Sequence, residues 1–400
     1  MDKLSTTVRD YAWGSKTSMA ELFGHEPSGS PEAEMWIGAH PGAPSVLRPS
    51  GLPLDAAIAA DPEGMLGGVV ASRYGRLPYL LKVLAAAEPL SLQVHPTLAQ
   101  AAAGFAAEEA NGPAIDAPTR NYKDDQHKPE MIVALTAFEA LSGFREPADA
   151  VAAFRWLQET VEEPDASDVA AALADALAAG ELAGAVRLVL DAGDDARRLA
   201  TLAARAVESS HDEATSADAS LGLLPRLADF YPGDTGVLLA LMLNLVSLRP
   251  GEAMSLPAGN IHAYLFGTGV EIMANSDNVL RGGLTPKHVD VPELLRVVLF
   301  EPTAPHRVPA QDLAPGLAVY RSGFDEFDLA VITPAAEPVG LPGAGATAVV
   351  VIAGELTLRR GDETLTLGPG ESAFVAGSEL PVTAHGPEGL LAYAAFTPGA

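Results

Sequence analysis

Short apolar segments alternate with turn residues along the first part of the chain, up to about residue 145. Examples are "EMWIGAH", "PSVLR", "LPYLLKVL", "LSLQVH" and "EMIVAL", and Gly and Pro separate them. Runs of this length that are bounded by turn residues are typical of β-strands. The first part of the chain therefore predicts an antiparallel sandwich or barrel.

The pattern changes between about residues 146 and 245. Ala, Leu and acidic residues predominate there, as in "DVAAALADALAAGELAGAVRLVLDAG", and apolar positions recur every three or four residues. This spacing predicts amphipathic helices, so we expect an α-helical insertion. We interpret the longest apolar run, "GVLLALMLNLVSL" from Gly236 to Leu248, as a buried helix, because it is well short of the roughly 20 residues that span a bilayer.

The β pattern returns after residue 246 and continues to the end of the chain. The segment "TAVVVIAGELTLRRGDETLTLGPGESAFVAG" alternates apolar and polar residues around an expected hairpin turn at Gly361 and Asp362. This alternation favours a jelly-roll-like unit. We expect a mainly β protein in three units: residues 1–145 with 246–309, the helical insertion 146–245, and a C-terminal β unit 310–400.

Charge and composition narrow the classes of partner. The chain has 52 acidic and 25 basic residues and a formal net charge of −27, so its average surface repels nucleic acids and anionic membranes. A small phosphorylated ligand is compatible with this charge, because a few Lys and Arg residues can converge in one cleft. We expect no nucleic-acid partner and no membrane association.

The absence of cysteine from the sequence restricts the chemistry further. It excludes disulfides, thiolate metal sites and cysteine nucleophiles, so a bound metal ion needs nitrogen and oxygen ligands. The opening segment "MDKLSTTVRDYAWGSK" has no long apolar stretch and is not typical of a secretory signal. We expect a cytoplasmic protein, and a monomer.

The segment "SLQVHP", residues 91–96, is the first candidate for chemistry. Residues i and i+2 of a strand point to the same side, so Gln93 and His95 would face the same space, where their polar groups need partners. Together with His262 and a carboxylate they would form a mixed nitrogen and oxygen site suited to zinc. The alternative is a hydrogen-bonded wall without a metal ion.

Several longer segments closely resemble the type I mannose-6-phosphate isomerases, and they occur in the same order. They include "YAWGS", "EMWIGAHPGAPS", "LPYLLKVLAAAEPLSLQVHP", "NYKDDQHKPEM", "YPGDTGVLLALMLN" and "LPAGNIHAYLFGTGVEIMANSDNVLRGGLTPKHVDVPELL". The resemblance spans roughly residues 10–300. It implies a cupin-type β fold, one zinc ion per chain, and the interconversion of mannose 6-phosphate and fructose 6-phosphate through an enediol.

The resemblance also implies roles for individual residues. The implied zinc ligands are Gln93, His95, Glu130 and His262. The implied catalytic residues are Arg281, Lys128 and Glu271, and the implied substrate-binding residues are Lys82, Ser91, Tyr264, Lys287 and His127. We expect no metal ion in the C-terminal unit, because its only histidine is His385.

Other interpretations of these residues stay open at this point. Lys82 and Lys287 could be ordinary surface lysines, and Glu271 could form a structural ion pair. Trp13 and Trp36 could fill a core instead of stacking on a sugar. Two other functions are also possible from the sequence: the protein could be an iron-dependent enzyme that carries out oxygen chemistry, or it could bind a sugar phosphate without catalysis. An assay for fructose 6-phosphate formation separates these functions.

Overall fold

The computed structural model describes residues 1–48, 50–191, 193–343 and 345–399. Helix and strand occur in about equal amounts, and the strands pair antiparallel in their ladders. The prediction of a mainly β protein is therefore only partly correct. The difference arises in residues 1–145, where Ala-rich stretches such as "LAQAAAGFAAEEAN" form helices, as expected from the high helix propensity of alanine.

The strands, in chain order, are β1 Asp2–Ser5, β2 Thr7–Arg9, β3 Glu34–Gly38, β4 Val46–Leu47, β5 Tyr79–Ala86, β6 Leu92–Val94, β7 Glu130–Ala134, β8 Phe138–Phe144, β9 Leu243–Leu248, β10 Ala253–Leu256, β11 His262–Ala274, β12 Leu280–Gly283, β13 Arg307–Val308, β14 Ala310–Ala314, β15 Leu317–Tyr320, β16 Asp328–Ile332, β17 Val339–Gly340, β18 Thr347–Ala353, β19 Leu356–Arg360, β20 Glu363–Leu367, β21 Ser372–Val375, β22 Thr383–His385 and β23 Leu391–Phe396.

The α-helices are α1 Ser18–Phe23, α2 Leu54–Ala60, α3 Pro62–Leu66, α4 Gly68–Tyr74, α5 Leu98–Asn111, α6 Pro147–Thr160, α7 Pro164–Ala178, α8 Leu182–Asp191, α9 Gly193–Ser209, α10 His211–Ala217, α11 Leu224–Phe230, α12 Gly236–Ala240 and α13 Val291–Val297. Two short 3₁₀ helices span Ala219–Leu223 and Gly377–Glu379. None of the helices within the described residues is long and apolar enough to cross a membrane.

The largest sheet has eleven strands and is organised around β11. This strand has 13 residues, and its two halves have different neighbours. The first half pairs with β6 and β8, and the second half lies between β5 and β7. A β-bulge at Tyr264 and Phe266 interrupts the ladder between β11 and β8. Because β11 joins both halves, residues from β6, β7 and β12 are brought to one region of the sheet.

The second sheet has eight strands in the order β14-β15-β16-β23-β18-β21-β1-β4. Six of them come from the C-terminal part of the chain, and the N-terminal strand β1 pairs with β21, so that Asp2 lies opposite Phe374. A third sheet contains β17, β22, β19 and β20. The hairpin predicted at Gly361 and Asp362 is confirmed, because Arg360 and Glu363 are paired on either side of it.

The two large sheets share a hydrophobic core. Side chains from both contribute to it and are fully or almost fully buried, among them Ile37, Leu81, Ile272, Leu329 and Val350. A separate core joins the helices of the insertion to the first half of the large sheet. The helical insertion therefore packs against the same strands that carry Gln93 and His262.

Two predictions need correction. The sheet orders of the described residues are open and do not close, so the expected jelly-roll-like barrels are not confirmed. The run from Gly236 to Leu248 is not one buried helix, because α12 ends at Ala240 and β9 begins at Leu243. A continuous apolar run fits a buried strand as well as a buried helix, and its pattern alone does not distinguish them.

Candidate metal centre and adjoining cleft

Three strands place histidine and glutamate side chains at one point of the large sheet. His95 follows β6, Glu130 begins β7, and His262 begins β11. Within the sheet, Gln93 pairs with both His262 and Arg281. Segments that are far apart in the sequence meet here because β11 contacts both β6 and β7.

His95, Glu130 and His262 form a compact buried cluster. Their potential ligand atoms lie within 4.8 Å of one another. The Nε2 atom of His95 lies 3.3 Å from Oε1 of Glu130, and Nε2 of His262 lies 3.3 Å from Oε2 of the same residue. It is the only group of three or more such residues found in the described part of the chain.

Hydrogen bonds fix the orientation of both imidazole rings. The Nδ1 atom of His95 donates to the backbone carbonyl of Asn278 at 2.7 Å, and Nδ1 of His262 donates to that of Asn260 at 3.0 Å. Both Nε2 atoms are buried and have no hydrogen-bond partner among the described residues. Burial lowers the pKa of His95 to about 4, although Glu130 opposes the shift, so this ring is neutral at pH 7.

The cluster fits a metal ion. A neutral imidazole that donates through Nδ1 turns its Nε2 lone pair toward the carboxylate, and this arrangement is repulsive unless a cation lies between them. In a tetrahedral zinc site with bonds of about 2.1 Å, adjacent ligand atoms are roughly 3.4 Å apart. The two distances of 3.3 Å match that spacing. Zinc also prefers nitrogen and oxygen donors of this kind.

Lys128 connects the cluster to a cleft of about 740 Å³. Its Nζ lies 3.1 Å from Oε1 of Glu130, and its side chain lines the cleft wall. Burial opposes ionisation of Glu130, but the ammonium group of Lys128 holds the pKa of Glu130 well below its usual range. The carboxylate is therefore ionised at neutral pH and available as a ligand.

Six of the residues predicted for the site line the cleft. They are Lys82, Ser91, Gln93, Lys128, Arg281 and Lys287. Burial lowers the pKa of Arg281, and burial together with the charge of Arg281 lowers that of Lys287. Neither forms an ion pair with a carboxylate in the part of the chain that the structure describes. These two cations are therefore available for an anionic ligand.

A buried row of polar residues lies beside the cleft. Lys82 is directly opposite Trp36 on β3 and Glu271 on β11, so their side chains share one face of the sheet. The Nζ of Lys82 lies 2.9 Å from Glu271 and 3.6 Å from Glu34. Burial disfavours the charged amine, but these carboxylates raise the pKa of Lys82. Burial and the nearby Glu130 and Glu34 raise the pKa of Glu271, against the effect of Lys82.

The remaining predicted residues do not line the cleft. Glu271 and Tyr264 are buried behind its wall. The Nε2 of His127 lies 2.8 Å from Glu326, a residue of the C-terminal part, and His127 borders a small separate void. Trp13 and Trp36 both line the cleft while they also pack against the hydrophobic core.

Four acidic residues of this region were not identified from the sequence, and one of them is Glu88 on the cleft wall. Glu34 and Asp234 line the cleft, and so does Asp277, whose Oδ1 lies 3.4 Å from Nε2 of His40. Burial opposes ionisation of Asp277, but His40 and two nearby lysines lower its pKa. Isolated acidic residues are common in a chain of net charge −27, so only the fold distinguishes these four.

Asn278 links the segments on two sides of the cluster. Its backbone carbonyl orients His95, while its side-chain amide donates to the carbonyls of Asp124 and Gln126. Its Oδ1 accepts a hydrogen bond from the backbone amide of Lys123 at 2.7 Å. The side chain therefore fixes the segment that leads to Lys128 and Glu130 relative to His95.

We expect Lys82→Met to destabilise the protein by about 3–5 kcal/mol, because the substitution leaves Glu34 and Glu271 buried without their cation. Denaturant unfolding at neutral pH measures this loss. The raised pKa of Glu271 means that the folded state binds its proton more readily than the unfolded state. Lys82 holds the pKa of Glu271 down, so this pKa is higher still in the variant. The loss of stability in the variant should therefore shrink as the pH falls through the raised pKa of Glu271, because protonation removes the buried unpaired charge.

Lys3→Met is the matched control for this substitution. Lys3 pairs with Glu371 at 2.8 Å, but both side chains are partly exposed, at 31% and 41%. Removing an exposed pair should change the free energy of unfolding by less than about 1 kcal/mol. Equal losses in the two variants would contradict the importance that we assign to the buried row.

Sequence comparisons identify relatives over nearly the whole chain. Residues 1–147 match the family model "Phosphomannose isomerase type I, catalytic domain". The chain is 39% identical to the mannose-6-phosphate isomerase of Escherichia coli K12 over 96% of its own length and 97% of the relative's. It is 33% identical to a probable mannose-6-phosphate isomerase of Caenorhabditis elegans, over 99% and 95% of the two chains.

Solved structures show the same fold. A mutant of phosphomannose isomerase from Salmonella typhimurium superposes with a TM-score of 0.89 and 38% identity, covering 99% of both chains. A mannose 6-phosphate isomerase bound with zinc and yttrium matches with the same TM-score, identity and coverage. The presence of zinc in that relative is consistent with the donor set of His95, Glu130 and His262.

Proposed function

The chain belongs to the type I phosphomannose isomerase family, and from this premise we propose that it is a zinc-dependent enzyme interconverting mannose 6-phosphate and fructose 6-phosphate. We propose that a proton moves between C1 and C2 of the open-chain sugar through an enediol. One observation carries the proposal. Two buried imidazole nitrogens, without hydrogen-bond partners among the residues that the structure describes, converge on Glu130 beside a cleft that is lined by Arg281 and Lys287.

We propose that His95, Glu130 and His262 hold the zinc ion and that Gln93 is the fourth ligand. The position of Gln93 supports this role, since Gln93 lines the cleft and pairs with His262 in the sheet. One carboxylate and three neutral ligands leave the site with about one unit of positive charge. When bound, the zinc ion supplies an electrophile that polarises a sugar oxygen.

The phosphate group of the substrate needs an anchor at a distance from the reacting carbons. We propose that Lys287 and Ser91, which both line the cleft, bind it. Lys287 is available for this role because it forms no ion pair with a carboxylate within the described residues. A charged hydrogen bond to phosphate is stronger than a neutral one, which compensates for the overall negative charge of the chain.

Proton transfer requires groups close to C1 and C2. We propose that Lys128 exchanges protons with the substrate, because its ammonium group reaches both the cleft and Glu130. Arg281 is opposite Gln93 in the sheet and is free of carboxylates in the described part of the chain, so it can stabilise the oxyanion of the enediolate. Glu271 forms a buried ion pair with Lys82 and thereby fixes the position of Lys82 in the cleft wall.

We propose one zinc ion per chain, bound in the part formed by residues 1–145 and 246–309. The C-terminal part, residues 310–400, has one histidine, His385, which is exposed and lies on β22. Metal analysis of the protein as purified should therefore give about one equivalent of zinc, since a tight site needs three or four clustered donors. Two tightly bound ions per chain would contradict this assignment.

An assay that couples fructose 6-phosphate formation from mannose 6-phosphate to a dehydrogenase tests the proposed function directly. The purified protein should be active, lose activity on chelation and regain it with zinc. A protein that binds mannose 6-phosphate without turnover would be a binding protein. Activity that depends on iron and consumes oxygen would instead indicate an oxygenase.

A further inference from the structure

The loop between α11 and α12 forms part of the cleft wall and connects it to the helical insertion. Tyr231 and Asp234 of this loop line the cleft. The hydroxyl of Tyr231 donates to the carbonyl of Pro89 at 2.6 Å, close to Ser91 in the chain. Asp234 reaches the opposite side, where it contacts the segment that follows β12. The loop therefore joins the two sides of the cleft.

Asp234 uses both oxygens of its carboxylate. Its Oδ1 accepts a hydrogen bond from the amide of Gly236 at 2.7 Å, and its Oδ2 accepts one from the amide of Thr285 at 3.0 Å. Thr285 in turn accepts a hydrogen bond through Oγ1 from the amide of Lys287 at 3.1 Å. A chain of hydrogen bonds thus leads from Asp234 to the backbone of Lys287.

The segment held in this way, Leu284–Lys287, has a strained start; we call it the anchor arm. Leu284 is fully buried and has a φ of 53°, and it is the only non-glycine residue with positive φ among those described. Such a conformation persists only when its surroundings enforce it. Gly236 packs directly on this backbone, since a Cβ there would lie 2.6 Å from the nitrogen of Leu284.

We propose that Asp234 is a positioning residue that holds the anchor arm so that Lys287 faces the phosphate of the substrate. This inference rests on the proposed function, in which Lys287 binds that phosphate. The helical insertion thereby contributes to substrate affinity through the loop between α11 and α12. The substrate contact is made by Lys287, and Asp234 acts through it.

Arg281 is placed by a strand pairing in which Asp234 takes no part. It belongs to β12, and its position follows from pairing with Gln93 of β6. Loss of Asp234 should therefore displace the anchor arm and leave Arg281, Lys128 and the metal cluster in place. The predicted defect is in substrate binding, with little change in turnover.

The charge of Asp234 gives the opposite expectation. A carboxylate on the cleft wall repels a phosphate, so its removal would strengthen binding if charge were its only effect. A positioning role predicts weaker binding. The direction of the change in KM therefore distinguishes the two effects.

The experiment compares wild-type protein with Asp234→Asn and Asp234→Ala. KM for mannose 6-phosphate should rise about tenfold in Asp234→Ala, which loses both charged hydrogen bonds, and by a smaller factor in Asp234→Asn, with kcat within about twofold in both. The inhibition constant of inorganic phosphate should rise in parallel, and zinc content should be unchanged. Asp229→Asn is the matched control, because Asp229 is exposed at the end of α11 and does not line the cleft.

The possible outcomes separate the two proposals. An inactive wild-type protein overturns the proposed function. An active wild type with unchanged or lower KM in a folded Asp234→Asn variant overturns the positioning role alone. Thermal unfolding identifies a variant that fails to fold, and Asp234→Asn keeps one acceptor oxygen so that the milder substitution remains informative. An equal rise of KM in Asp229→Asn would also contradict the inference.

Discussion

His262→Ala should lose its zinc ion and its isomerase activity together. The substitution removes one of the two imidazoles whose Nε2 atoms face Glu130. Only one nitrogen donor, His95, then remains beside Glu130 and the neutral amide of Gln93, and this set binds zinc much more weakly. Turnover should fall on the order of 10³-fold or more, because the electrophile lowers the barrier by several kcal/mol. Metal analysis and the coupled assay on the same sample measure both effects.

The control for this prediction is His211→Ala. His211 begins α10 in the helical insertion and is exposed, so this variant should keep its metal and its activity. Circular dichroism establishes whether His262→Ala is folded. A folded His262→Ala variant that retains full activity without zinc would show that the cluster is not the catalytic metal site.

Arg281→Ala should keep the zinc ion and lose most of its turnover. Arg281 lies beside the proposed ligands, since it pairs with Gln93 in the sheet, but it contributes no donor to the cluster. Removing a single positioned group that stabilises an oxyanion costs about 10²–10³ in kcat. Single-turnover measurements on the zinc-loaded variant would locate the defect in the chemical step.

Arg296→Ala provides the comparison for Arg281→Ala. Arg296 lies on α13, is largely exposed and pairs with Glu293 of the same helix. Its removal takes away the same charge from the protein without affecting the cleft. Loss of zinc from Arg281→Ala, or turnover equal to that of Arg296→Ala, would refute the role assigned to Arg281.

The strand and helix regions could be predicted because their patterns are local. The hairpin at Gly361 and Asp362 and the helices of the insertion follow from alternation, turn residues and helical spacing. The helices before residue 145 were missed because short Ala-rich stretches between strands carry little periodicity. Whether the sheets close into barrels or stay open could not be predicted, since this depends on pairing between distant strands.

Some residues of the candidate site could be predicted from the sequence, and others could not. His95 and His262 stand out because histidine is scarce, and they are brought together with Glu130 by β11. Glu34 could not be found in this way, because its role depends on the buried Lys82, whose Nζ lies 3.6 Å from it on the adjacent strand β5. His127 belongs to a distinctive segment, yet the fold directs it toward Glu326 and away from the cleft.

The pairing of β1 with β21 has a consequence for the order of events during synthesis. β1 emerges from the ribosome long before its partner β21, which begins only at Ser372. At about 5–20 residues per second, β1 waits roughly 20–70 s for that partner. During this time its backbone is an open edge that another chain can occupy. The eight-stranded sheet is therefore completed late, and its assembly is the step at which we expect nascent chains to depend most on chaperones.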